Sequence, residues 1–214
     1  MQYRNMRIPT DKGSLSVLGS SSVKVPADTA IICAGIVIEG TSLEEARDKN
    51  YEVYNILLKS LIDFKVPKEN IYGENVSITK NSNTSSNTQN TYTVTRLLTI
   101  IVNDLSRLND IYSLIIENGV NGNIKISFTL SDSLPYYNRA LKKATQDAVA
   151  KASIIARNFG IKYNPVPYKI RENTSSLYSI SYPSYDDCNY TLGALPGYVN
   201  ISAEIEASFS TYQY

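Results

Sequence analysis

The stretch GNIKISFTLSDSLPYYNRALKKATQDAVAKASIIARNFG, residues 122–160, changes its period part-way along. Ile124, Ile126, Phe128 and Leu130 alternate with Lys125, Ser127 and Thr129, the pattern of a half-buried strand. From Asp132 or Ser133 the alternation stops. Ala140, Ala144, Ala148, Ala152 and Ala156 then recur at every fourth position, which predicts a helix to about Phe159. Pro135 is tolerated in the first turn, and Gly160 supplies the stop. A ladder of small side chains lets a sheet or another helix approach the backbone closely, so these alanines are read as a packing seam. Arg139, Lys142, Lys143 and Lys151, interleaved with Asp147, are read as a solvated face.

C-terminal to this unit, Val166–Arg171 predicts a short strand. Residues 173–197 are rich in Ser, Tyr, Asp and Pro. Val199, Ile201, Ala203, Ile205, Ala207 and Phe209 then alternate with polar residues, which makes a long one-sided strand. N-terminal to it, Ser14–Val25 reads as a strand with a candidate bulge at Gly19-Ser20-Ser21-Ser22. Thr29–Glu39 is apolar on both alternating faces, as a central strand requires. The Pro26-Ala27-Asp28 turn between them predicts a hairpin. Ser42-Leu43-Glu44-Glu45 is a capping box opening a helix to about Lys65, which Val66-Pro67 ends. Strands near Ile71–Lys80 and Thr91–Val102 follow, and then a helix capped by Asp104, running Leu105–Asn118 and stopped by Gly119. The order is β-β-α-β-β-α-β-α-β-β. Adjacent strands interspersed with helices favour an α+β fold of mostly antiparallel sheets packed by three helices. The predicted organisation is an N-terminal extension (1–13), one domain (14–211) with mobile loops near 81–90 and 174–197, and a short tail (212–214).

Composition narrows function mostly by exclusion. The 214 residues include 21 Lys or Arg against 20 Asp or Glu, a formal charge of +1, with 43% hydrophobic residues. A balanced charge offers no excess to neutralise phosphates, so no nucleic-acid partner is expected. Histidine is absent, which removes His-based triads and His-ligated zinc. A Glu base near neutrality would need its pKa raised from about 4.3 to about 7, roughly 3.7 kcal/mol of differential environment. No Gly-rich phosphate loop, nucleophile elbow or paired-acid motif advertises such a site. No cofactor, metal or catalytic residue is expected. Of two cysteines, Cys33 reads as a small buried hydrophobe and Cys188 as exposed; one possible bridge does not make a disulfide-dense scaffold. The longest apolar stretch, Ala30–Ile38, is about half of what spans a bilayer. No apolar core follows the N-terminal arginines, so a cytoplasmic location is expected, or a periplasmic or extracellular one if a leader has been removed.

Four stretches resemble one family. These are Leu15-Ser16-Val17-Leu18-Gly19 with the turn at Pro26-Ala27-Asp28; Leu98–Leu105; Gly122–Asp132 followed by the alanine ladder with Lys143, Lys151 and Gly160; and Pro196-Gly197 before the last strand. Together, in order and spacing over roughly residues 14–211, they resemble the SIMPL-domain family, whose bacterial members include periplasmic immunogenic and oxidative-stress-defence proteins. Lys65 stands where the family usually has Gly at the end of its first helix. The resemblance implies an α+β fold and ring- or channel-like homo-oligomers. It implies no catalytic motif. The expected function is therefore a non-enzymatic assembly or interaction protein, with a stress link. A small-ligand-binding protein or an enzyme using carboxylates or a Lys are the alternatives. Tyr178, Tyr182, Tyr185 and Tyr190 crowd one segment and form the candidate interaction loop, because Tyr adds amphipathic area at low entropic cost.

Overall fold

A computed structural model of the chain describes residues 12–81, 91–173 and 197–212. The segments expected to be mobile loops, near 81–90 and 174–197, lie outside those residues except at Asn81 and Gly197, and the candidate tyrosines lie outside them too. Eight strands and three helices are described: β1 (Lys12–Pro26), β2 (Thr29–Gly40), α1 (Leu43–Asp63), β3 (Ile71–Asn81), β4 (Thr91–Val102), α2 (Leu108–Glu117), β5 (Lys125–Thr129), α3 (Leu134–Asn158), β6 (Lys162–Tyr163), β7 (Lys169–Asn173) and β8 (Tyr198–Tyr212). The fold is α+β, in the element order expected except for one further two-residue strand, β6, ahead of β7, the short strand expected near Val166–Arg171.

The chain forms two compact units. Unit one takes residues up to Val25, Asp132 onward through α3 to β7, and Asn200 onward; unit two takes Pro26–Ser131 with the chain just before Asn200. In unit one the strand order is β1-β8-β6, with β7 also pairing β8. In unit two it is β3-β4-β2-β5.

The hairpin expected from the Pro26-Ala27-Asp28 turn does not form. β1 joins the first sheet, and β2 lies between β4 and β5 in the second. β2 is buried on both faces from Thr29 to Ile36, as expected of a central strand, whereas β1 buries alternate residues such as Val17, Val23 and Val25. The turn itself is fastened within unit two. The Asp28 carboxylate accepts from the Ser131 amide (2.7 Å), the Ser131 hydroxyl (2.9 Å) and the Thr29 hydroxyl (2.8 Å).

In unit two, α1 and α2 lay Leu57, Leu61, Ile111 and Ile115 onto Ile32, Ile36, Leu98 and Ile100 of the central strands. Ser42 caps α1 by accepting from the Glu45 amide. The Glu45 carboxylate reaches back to Thr41 and forward to Lys49. At the other end Lys65 takes φ 63, the left-handed conformation that usually falls to Gly, with its amide bonded to Ile62 O and the Val66 amide to Leu61 O. Arg107 lies over the Phe64 ring and donates to the Phe64 carbonyl, satisfying an end of α1.

In unit one, all five ladder alanines of α3 are buried. Ala148 and Ala152 pack with Val17, Ile205, Ala207 and Phe209. Phe209 also meets Tyr163 edge-on, with ring centres 5.6 Å apart. β1 runs as one strand through residues 19–22, and the close approach of α3 accounts for Gly19. A Cβ there would come 2.2 Å from Ala144 O and 2.7 Å from Ala148 Cβ. Gly19 and the alanines are therefore two halves of one close approach.

Candidate functional site

Four described carboxylates have displaced pKa values, and every one is displaced downward. Hydrogen bonding from Lys49 lowers Glu45, the Ser106 hydroxyl lowers Asp104, and Lys151 with the Ser20 amide lowers Asp147. At Asp28 burial pushes the value up, but the bonds from Ser131 and Thr29 outweigh it and the net shift is down. A carboxylate held low stays ionised at neutral pH, where it makes a poor proton donor. Among the described residues, no three His, Cys, Asp or Glu side chains gather where they could hold a metal ion.

Two other features stand out. The first is bare apolar surface at strand edges. β7 lies on one edge of the unit-one sheet, where Ile170 pairs with Ala207 and therefore shares the α3-facing side of the sheet. Ile170 is nonetheless 62% exposed, and Tyr168 and Val166 just before it are 60% and 68% exposed. Phe159, at the end of α3, is 76% exposed. On the opposite edge, Leu18, Lys151 and Ile154 help line a shallow depression of about 250 Å³ between β1 and α3.

The second feature is a cluster in unit two. Asn50 faces inward from α1 and is fully buried. Its amide donates to Ile36 O (3.0 Å) and Val94 O (3.2 Å), carbonyls of two neighbouring strands. Its Oδ1 accepts from Arg96 Nε at 3.0 Å. The Arg96 guanidinium lies 4.7 Å from the Tyr54 ring centre and 6.0 Å from that of Tyr51. No pattern in the sequence marks Asn50 or Arg96, because their partners lie 14 to 46 residues away.

Cys33 is buried on β2, as expected, but it is also disulfide-bonded, which its local sequence does not reveal. It sits with Ile31 in a small cluster separate from the main core of unit two, and the Thr99 hydroxyl lies 3.9 Å from its sulfur. The only other cysteine of the chain is Cys188, outside the described residues.

Comparison with known families decides the family. The SIMPL family model, described as a protein of unknown function (DUF541), matches residues 15–209. The chain belongs to the SIMPL family. No curated protein matches it. The SIMPL match runs through both compact units and includes the alanine ladder, Arg96 and Cys33. No helix among the described residues is long and apolar enough to cross a membrane.

Proposed function

We propose that this SIMPL protein is a non-enzymatic assembly protein that works as a homo-oligomer. The observation that carries the reading is the uncovered strip made by Ile170 of β7 with Tyr168 and Val166 of the chain just before it, all exposed at the edge of a sheet whose neighbouring strand β8 buries alternate residues. An exposed apolar edge invites strand pairing and burial by another copy. A second copy is the simplest occupant because closed symmetry buries the same strip on every subunit. The Cys33 disulfide supports an oxidising compartment over the cytoplasm.

Size-exclusion chromatography with light scattering tests the assembly. A discrete oligomer at micromolar concentration is expected to persist at high salt, since the contacts are apolar. Ile170→Lys should shift it toward a single chain that remains folded by circular dichroism. A single monomeric species across a wide concentration range would sink the reading.

A further inference from the structure

We propose that Arg96 is the anchor of a binding site for a monocarboxylate carrying an apolar body. The site is independent of self-association, and it is built around an arginine that is already fixed. Asn50 is locked by two strand carbonyls, so its Oδ1 has one direction left, and Arg96 Nε fills it. Tyr54 supports one face of the planar group at 4.7 Å. The side chain has thereby lost most of its rotamer freedom before any ligand arrives, which is the main cost of holding a long cation in place.

What remains is the outer fork. The three described ion pairs, Arg47–Asp48, Lys49–Glu45 and Lys151–Asp147, leave Arg96 out. No described protein group accepts from its terminal amino groups. Two parallel N–H groups of this kind match a carboxylate in the bidentate mode. Among the described residues, the side chains beside the fork are apolar. Val76 is the direct cross-strand neighbour of Arg96, Ile78 follows on the same face, and they are 44% and 52% exposed. Tyr51, one turn from Tyr54 along α1, is 56% exposed. A single guanidinium flanked by aliphatic and aromatic surface suits one negative charge with a hydrophobic tail. A phosphate dianion would want further cations, and none among the described residues is bonded into this cluster.

The probe is 4-phenylbutyrate, with 4-phenylbutyramide and inorganic phosphate as controls, titrated into the full chain while Arg96 Nε–H and the Val76 and Ile78 amides are followed by NMR. The expected result is saturable shifts at those three groups with the acid, and at least about tenfold weaker binding of the amide and of phosphate. Arg96→Lys keeps the charge but loses the fork, and should weaken binding about tenfold. Since it also disturbs Asn50, Val76→Glu is the decisive partner. It leaves Asn50 untouched, places a carboxylate beside the fork, and should abolish binding with an unchanged melting temperature. Equal binding of acid and amide, or wild-type affinity in Val76→Glu, would overturn the proposal.

Discussion

In unit two, α1 and α2 press long aliphatic side chains such as Leu57, Leu61, Ile111 and Ile115 onto strands carrying more of the same. In unit one a single helix does the covering, and on the side facing the sheet it offers alanine at every fourth position against Gly19, Val17 and Ala207. The first arrangement draws its stability from the volume each side chain removes from water, and the second from how near the backbones come. The two should therefore break in opposite ways. Unit two should fail when atoms are taken out, and unit one when atoms are put in.

Leu57→Ala is the largest test of that contrast. The side chain is fully buried, and its loss should cost about 2–5 kcal/mol through transfer and cavity terms together. Chemical denaturation checks it, and a cost near that of an exposed substitution would mean that the α1 face is softer than its burial implies. Second is the disulfide. Cys188 is the one partner the sequence offers Cys33 within the chain, so Cys188→Ser should lower stability by about 2–4 kcal/mol, and reduction of the wild type should match it. Intact-mass measurement under non-reducing conditions should find a monomer two hydrogens lighter than the reduced chain. A disulfide-linked dimer in that measurement would reassign the bridge.

The converse test belongs to unit one. Ala148→Leu adds volume where Gly19 leaves no room and should cost about 1–3 kcal/mol, while Lys143→Ala on the exposed side of α3 should be nearly silent. Equal effects from both would show that the ladder is no seam at all.

The same contrast explains how much of the molecule is legible in its amino-acid sequence. The alanine ladder and the alternation of β8 are legible because period reports which side of an element is buried, and that is a local property. The element order follows from caps and breakers such as Ser42, Pro67, Asp104 and Gly119. Period does not report the partner. Nothing in Ser14–Val25 or Thr29–Glu39 says that the two strands belong to different sheets, and a short turn between strands argues for a hairpin by default. Asn50 and Arg96 are illegible for the same reason: a polar residue on a buried helix face and a lone cation acquire meaning only when distant strands bring their carbonyls and rings together. Cys33 reads as core, and it is core; that a bridge ends there depends on chain far from it in sequence, where Cys188 is the one other cysteine.

Two smaller predictions sharpen the picture of unit two. Lys65 holds φ 63 at the end of α1, where a side chain pays for its Cβ. Lys65→Gly should raise stability by about 1 kcal/mol and leave the α1 cap unchanged. A loss instead would mean that the Lys65 side chain contributes more than its backbone costs.

The smallest effect concerns Asp28, which ties the turn after β1 to the chain after β5. Its carboxyl is held below the usual range: burial acts upward, but the Ser131 amide and the Thr29 and Ser131 hydroxyls act downward and prevail. A group whose folded pKa is depressed contributes its full stability above the unfolded value, about 3.9, and loses it as pH falls through the lower folded value. Asp28→Asn should therefore be less stable than wild type at pH 7, with the gap closing only below about pH 4. Since Asp28 is exposed, water screens much of the interaction and the gap should be a fraction of that for Ala148→Leu. Denaturation midpoints of both proteins between about pH 2 and pH 7 read it directly. A gap that stayed constant down to about pH 2 would show that the amide breaks the turn by geometry rather than by charge, and would move the weight of this junction from the carboxylate to the Ser131 backbone.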